Sequence, residues 1–232
     1  MAVIHNTSLK PTKLELLTAW LPGRPWYRGE GGPVLAKAGG FRLDDPAGEV
    51  GIEVIVVTDT AGPRATTYLV PLTYRGAPLD GARDALVGTM EHGVLGRRWA
   101  YDAGHDPVFA AQLLALVEGR VQAQDQNASD RPDPEVTRAH TGHGDPAADA
   151  IVPTAPGPVG TAADDRDGTR LPAPQGAGLR LHRVLEPSPV TAADRSTTLP
   201  PGATGYVAGA WQAPDGSRVR GLFAVLSADG TA

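Results

Sequence analysis

The stretch from Glu49 to Arg75 constrains this chain more than any other. Val50, Ile52, Val54 and Val56 alternate with Glu49, Gly51, Glu53 and Ile55, and the return run sets Tyr68, Val70, Leu72 and Tyr74 on alternate positions. Side chains two apart on a strand share a face, so both runs have the period of a half-buried strand. Joined through Ala61, Gly62, Pro63 and Arg64, they predict an antiparallel hairpin with one apolar face to be covered and Glu53 on the solvent face. Pro71 removes a ladder donor inside the second strand, which predicts a sheet edge or a bulge there, and an edge is where a partner can add a strand.

The segments around the hairpin read as its covering. Thr12 and Glu15 have the spacing of a capping box, and Leu14, Leu17 and Leu21 share a helical face that Pro22 and Gly23 end. Trp26 and Tyr27 follow in a turn, where an aromatic pair either closes one end of a core or presents a binding surface. Residues 86–91 and 94–102 alternate as two more strands, with Trp99 and Tyr101 on one face. Asp106 then caps a second helix that has Pro107 at its first position and Phe109, Leu113, Leu116 and Val117 as its buried stripe. The fold class is α+β: an antiparallel sheet packed on helices, within a first domain at 1–120.

From Val121 to Gln175 the chain is rich in proline, alanine, aspartate and glycine and has no Phe, Tyr or Trp. Such a composition buries too little apolar surface to offset its ordering entropy, which predicts a disordered linker over 121–175. In the third segment, 176–232, Leu179–Leu185 alternates, and Gly205–Gln212 and Arg218–Leu226 flank Ala213-Pro214-Asp215-Gly216, a hairpin signal. Three strands without a helix form a marginal core, so this segment is expected to pack on the first sheet.

Several chemistries are set aside at this level. The 232 residues include no cysteine, so disulfides, thiolate metal sites and a cysteine nucleophile are excluded. A net charge of -5 with scattered basic residues does not suggest a nucleic-acid footprint. No apolar run approaches the ~18 residues of a membrane span, and the start lacks the pattern of a signal peptide, so a cytoplasmic protein is expected. Asn127-Ala128-Ser129 has the spacing of a glycosylation sequon, which a cytoplasmic chain does not use. Glu30-Gly31-Gly32-Pro33 opens no helix and carries no following Lys-Ser, so it is no phosphate cradle. Asp44-Asp45-Pro46 reads as turn chemistry in preference to a metal site, and His105-Asp106 as a helix cap in preference to a catalytic dyad.

Leu16–Tyr27 (LLTAWLPGRPWY), Thr67–Leu79 (TYLVPLTYRGAPL) and Arg97–Leu116 (RRWAYDAGHDPVFAAQLLAL) together resemble, in order and spacing, the N-terminal cap of actinobacterial maltokinases. The resemblance covers about residues 1–120 and implies a cystatin-like unit, a curved antiparallel sheet wrapped on helix. In that family the cap precedes a kinase that phosphorylates maltose with ATP, on the route from trehalose through maltose 1-phosphate to α-glucan. A kinase needs a strand lysine, a catalytic-loop Asp and an Asn and Asp for magnesium. The lysines here are Lys10, Lys13 and Lys37, all before the central hairpin, and His143-Gly144-Asp145 stands in the linker without the metal-binding Asn that would follow it.

The resemblance therefore implies a non-catalytic accessory or regulatory protein of trehalose, maltose 1-phosphate and α-glucan metabolism, acting by protein association, with no cofactor, no catalytic residue and no metal. Its expected partners are enzymes of that metabolism, and its candidate binding residues are Trp26, Tyr27, Pro71, Tyr74 and Arg75. The alternative is a protein that binds α-glucan, maltose or nucleotide, or one part of a split sugar kinase. Trp26, Trp99 and Trp211 exposed together on a concave face would favour that alternative, and their burial the accessory reading.

Overall fold

Apolar side chains on both faces of the central hairpin decide the architecture. In the computed structural model, which describes residues 9–128, 130–141, 162–189 and 199–228, β1 (Leu9–Lys10) leads into α1 (Lys13–Trp20). There follow β2 (Leu35–Leu43), β3 (Gly51–Asp59), β4 (Thr66–Arg75), β5 (Leu86–His92), β6 (Gly96–Asp102), α2 (Pro107–Glu118) and β7 (Gln124–Asp125). The seven strands form one antiparallel sheet in the order β1-β5-β6-β4-β3-β2-β7. The expected capping box is present: Glu15 N–H donates to Thr12 Oγ1, and Thr12 N–H donates to Glu15 Oε2 at 2.7 Å. An α+β fold with a curved antiparallel sheet is what the sequence predicted.

Neither face of the hairpin is open to solvent. Ile52, Val54, Val56 and Leu69 point to one side, where they meet Phe109, Leu113, Leu116 and Val117 of α2. Ile55, Val57, Tyr68, Val70 and Leu72 point to the other, where Leu17, Trp20 and Leu21 from α1 and the turn after it cover them together with Trp26. Glu53 shares this second face, so the expected solvent position is corrected: it is buried at 7% exposure. Lys13 Nζ donates to its Oε2, Tyr74 Oη donates to the same oxygen at 3.0 Å, and Lys37 Nζ lies 3.6 Å from Oε1. A buried carboxylate persists when it is paired in this way.

The stretch 121–175, expected to be a linker, also contributes structure. Besides β7 it supplies β8 (Thr137–His140), β9 (Ala163–Asp164) and β10 (Gly168–Pro172). These precede β11 (Gly178–His182), β12 (Ser188–Pro189), β13 (Ala203–Gln212) and β14 (Arg218–Ser227). The second sheet has the order β8-β13-β14-β11-β10-β9, with β12 also on β14. The strands from 121–175 are short; β7 and β8 pair with distant β2 and β13, while β9 and β10 pair with each other and β10 with β11. His143-Gly144-Asp145 and Ser129 of the sequon lie outside the described residues.

One core joins the two sheets. Trp211 and Phe223 of the second sheet are buried with Phe41, Val54 and Leu116 of the first, and the Phe41 and Phe223 rings stack with centroids 6.2 Å apart. The sheets also touch edge to edge. Leu69 N–H donates to Arg183 O at 3.0 Å and Leu185 N–H to Thr67 O at 2.9 Å, so residues 183–185 lie along the first half of β4. Among the described residues no helix is long and apolar enough to cross a membrane.

Candidate functional site

Alternate N–H groups of a strand point to the same edge, so Pro71 faces the edge to which Leu69 donates. Residues 183–185 occupy that edge up to Leu69, and β6 takes it over from Leu72. Pro71 stands in the gap between the two neighbours, where a missing donor costs nothing, and it is buried. The edge expected for a partner is thus filled from within the chain.

The other candidate binding residues are placed as follows. Trp26 is fully buried, with Trp20 edge-on at 5.8 Å and Tyr68 at 6.0 Å between ring centroids. Tyr27 donates through Oη to Asp59 Oδ2 at 3.0 Å, and burial together with that carboxylate pushes its phenol up to about 12. Tyr74 is committed to Glu53. Arg75 makes a bidentate pair with Asp106, 2.7 Å at each nitrogen, while Asp106 accepts the Val108 N–H and caps α2. Of the three tryptophans named for a sugar platform, Trp26 and Trp211 are buried and Trp99 is half-buried.

A polar network that sequence reasoning missed lies where the two sheets meet. Arg183 is fully buried; its Nη2 donates to both Asp102 oxygens, at 2.6 and 2.8 Å, and its Nε donates to Thr169 Oγ1 at 2.7 Å. Thr169 in turn donates to Asp164 Oδ1 at 2.5 Å, and Asp164 Oδ2 lies 3.7 Å from His105 Nε2, an ion-pair distance too long for a hydrogen bond. The Arg183 guanidinium also lies over the Trp26 ring, 4.9 Å from its centroid. The turn Asp102–Pro107 makes room for it: a Cβ at Gly104 would stand 2.9 Å from Arg183 Nη2.

Arg183 had left a signal in the sequence. It occupies the same phase as Leu179, Leu181 and Leu185, the buried positions of an alternating strand. A cation in an apolar phase requires a buried partner. The identity of that partner, 81 residues away, had no local trace.

His105 and Asp164 open onto a cleft of about 510 Å³ at the start of α2, lined also by Arg24, Asp80, Asp84 and Asp106. Ligand atoms of Asp102, His105 and Asp164 come within 4.8 Å of one another, a spacing that can hold a metal ion. Here Arg183 fills both oxygens of Asp102, and a metal would have to displace a guanidinium buried beside it. Asp164 lies below the ordinary carboxylate range: burial raises it, but His105, Arg183 and Thr169 together outweigh burial. His105 is raised, mainly by Asp164, with burial opposing. The arrangement is a closed circuit of charges that ties the Asp102–Pro107 turn to the second sheet.

This part of the molecule also matches a known family. Residues 20–106 match the maltokinase N-terminal cap domain. The cap segment thus runs from Trp20 through β6 to Asp106, less than half of the chain, and includes the first-sheet half of the charge network. No curated protein matches the chain. The charge circuit therefore joins a cap segment to the sheet that follows it: Asp102 and His105 lie inside the cap, Asp164, Thr169 and Arg183 outside.

Proposed function

We propose that this chain is a non-catalytic accessory or regulatory protein of trehalose, maltose 1-phosphate and α-glucan metabolism, acting in the cytoplasm by association with an enzyme of that metabolism. The match of residues 20–106 to a maltokinase N-terminal cap carries this reading. Burial of Trp26 and Trp211 supports it over the saccharide-binding alternative, since those rings are spent on the core instead of forming a platform. Tyr74 and Arg75, engaged with Glu53 and Asp106, are likewise tied into the fold. Association uses surfaces other than the β4 edge, which residues 183–185 occupy.

The test is direct binding of the purified full chain to maltokinase, trehalose synthase, maltosyltransferase and branching enzyme from the same host, by biolayer interferometry. Calorimetric titrations with maltose, maltoheptaose and ATP run in parallel. Saturable binding to one enzyme, without saccharide or nucleotide binding, is the expected result. Binding of a saccharide or ATP with no enzyme bound overturns the accessory reading.

A further inference from the structure

β9 is a short end strand of the second sheet, and the turn after it is held within that sheet by Asp165, which accepts from Arg180 at 3.0 and 2.6 Å. The strand is two residues long, stands at the sheet's end and, among the described residues, pairs with β10, Asp164 opposite Thr169 and Ala163 opposite Arg170. The side chain of Asp164 adds two anchors, Thr169 Oγ1 within its own sheet and His105 across the junction. The turn after β9 has one further tie to the first sheet's side, from Arg28 Nη2 to Arg166 O at 2.8 Å and Asp167 Oδ1 at 3.3 Å, both exposed. Ala162, Asp164 and His105 all line the cleft at the start of α2.

We propose that β9 is a proton-sensitive strap over this cleft: a charged His105 holds Asp164 and keeps the strap docked, and a neutral His105 releases it and widens the cleft. The groups that face His105 set the sign. Asp102 and Asp106 come from its own turn, Asp164 from β9, Arg183 from the second sheet, and Arg24, Asp80 and Asp84 from the other walls of the cleft. Asp106 is neutralised by Arg75 and Asp102 by Arg183, and Asp164 is the carboxylate at ion-pair distance from His105, 3.7 Å from its Nε2.

His105 is raised from 6.5 in the folded chain, so its contribution is full below that value and lost as pH rises through the folded value. Asp164 is lowered from 3.8, so its contribution holds above 3.8 and is lost as pH falls through its folded value. The strap is docked between these two limits. His182, opposite Gly168 on β11, is shifted the other way by burial and the charge of Arg180, so its response has the opposite sign.

Hydrogen–deuterium exchange of the full chain, corrected for intrinsic rates, between about pH 6 and about pH 9 tests the strap. Protection of the 163–166 amides is expected to fall about threefold or more as pH rises, the scale of a partly exposed ion pair. The same amides in His105→Gln should show no such fall, while the β3 and β4 amides stay protected. If His105→Gln loses β3 and β4 protection, Asp164→Asn decides instead, and it should abolish the pH response. Protection that is flat or rises with pH in the natural chain, or a fall that survives in both variants, overturns the proposal.

Discussion

At the scale of single residues, Arg183 is the group whose removal should cost most. Its charge is balanced chiefly by Asp102 and by the Trp26 ring, and none of the three reaches solvent beyond 1%. Removing one member of a buried ion pair leaves the other stranded, a loss of about 3–5 kcal/mol. Urea unfolding of Arg183→Met and of Asp102→Asn should each show a loss of that size. The double variant should lose clearly less than the two together, because the stranded charge is then gone. Local rules read some residues well: Thr12 and Asp106 cap helices as their spacing implied, and Asp45 holds its turn by accepting the N–H groups of Ala47, Glu49 and Val50. His105 shows where such rules stop. Its neighbour Asp106 is a cap, but its own partner, Asp164, comes from another sheet.

At the scale of elements, β3 shows why a sound period gave an incomplete reading. Alternation distinguishes the two faces of a strand, but it does not say whether the second face is also covered. Ile55 and Val57, in phase with Glu53, were the trace of α1 lying on that side. Burial raises Glu53 but Lys13, Lys37 and Tyr74 outweigh it, so its carboxyl lies below 4.5. Its contribution is therefore present above 4.5 and lost as pH falls through the folded value. Glu53→Gln should flatten the acid side of the stability profile followed by circular dichroism, and should lower stability near neutral pH because Lys13 and Lys37 lose their counter-charge. β2 makes a second case. Its register shifts between Lys37 and Gly39, and Gly40 takes φ +140 with the place of a Cβ only 2.2 Å from Val54 O. Gly40→Ala should cost about 1–3 kcal/mol in the same urea assay, as strain at a conformation that glycine alone adopts readily. The glycine was visible in the sequence, but the bulge that needs it was not.

For the whole molecule, the question is whether the first 119 residues stand alone. Composition marked a boundary near Val121, since proline, aspartate and glycine then become frequent and no aromatic residue stands between Phe109 and Tyr206. The three-dimensional core ignores that boundary. Val207, Trp211 and Phe223 fill the space between β2, β3 and α2, and Arg183 and Leu185 close the β4 edge. A chain ending at Gly119 would expose Phe41, Val54, Leu116 and Val117 to water and leave Asp102 without its guanidinium. It would also free the backbone groups of Thr67 and Leu69, which is how an edge strand becomes sticky. Truncation after Gly119 should therefore abolish the cooperative thermal transition of the full chain and give dye-binding or aggregating material. Trp211→Ala in the full chain reports the same coupling more gently. A loss of about 3–5 kcal/mol is expected for a buried tryptophan. Equal loss of exchange protection in β13, β2 and α2 is the result expected of one shared core, whereas sheets that unfold separately would lose more in β13, which carries the substituted residue. A truncated chain that melts cooperatively would instead make the cap segment an autonomous domain and the second sheet an addition to it.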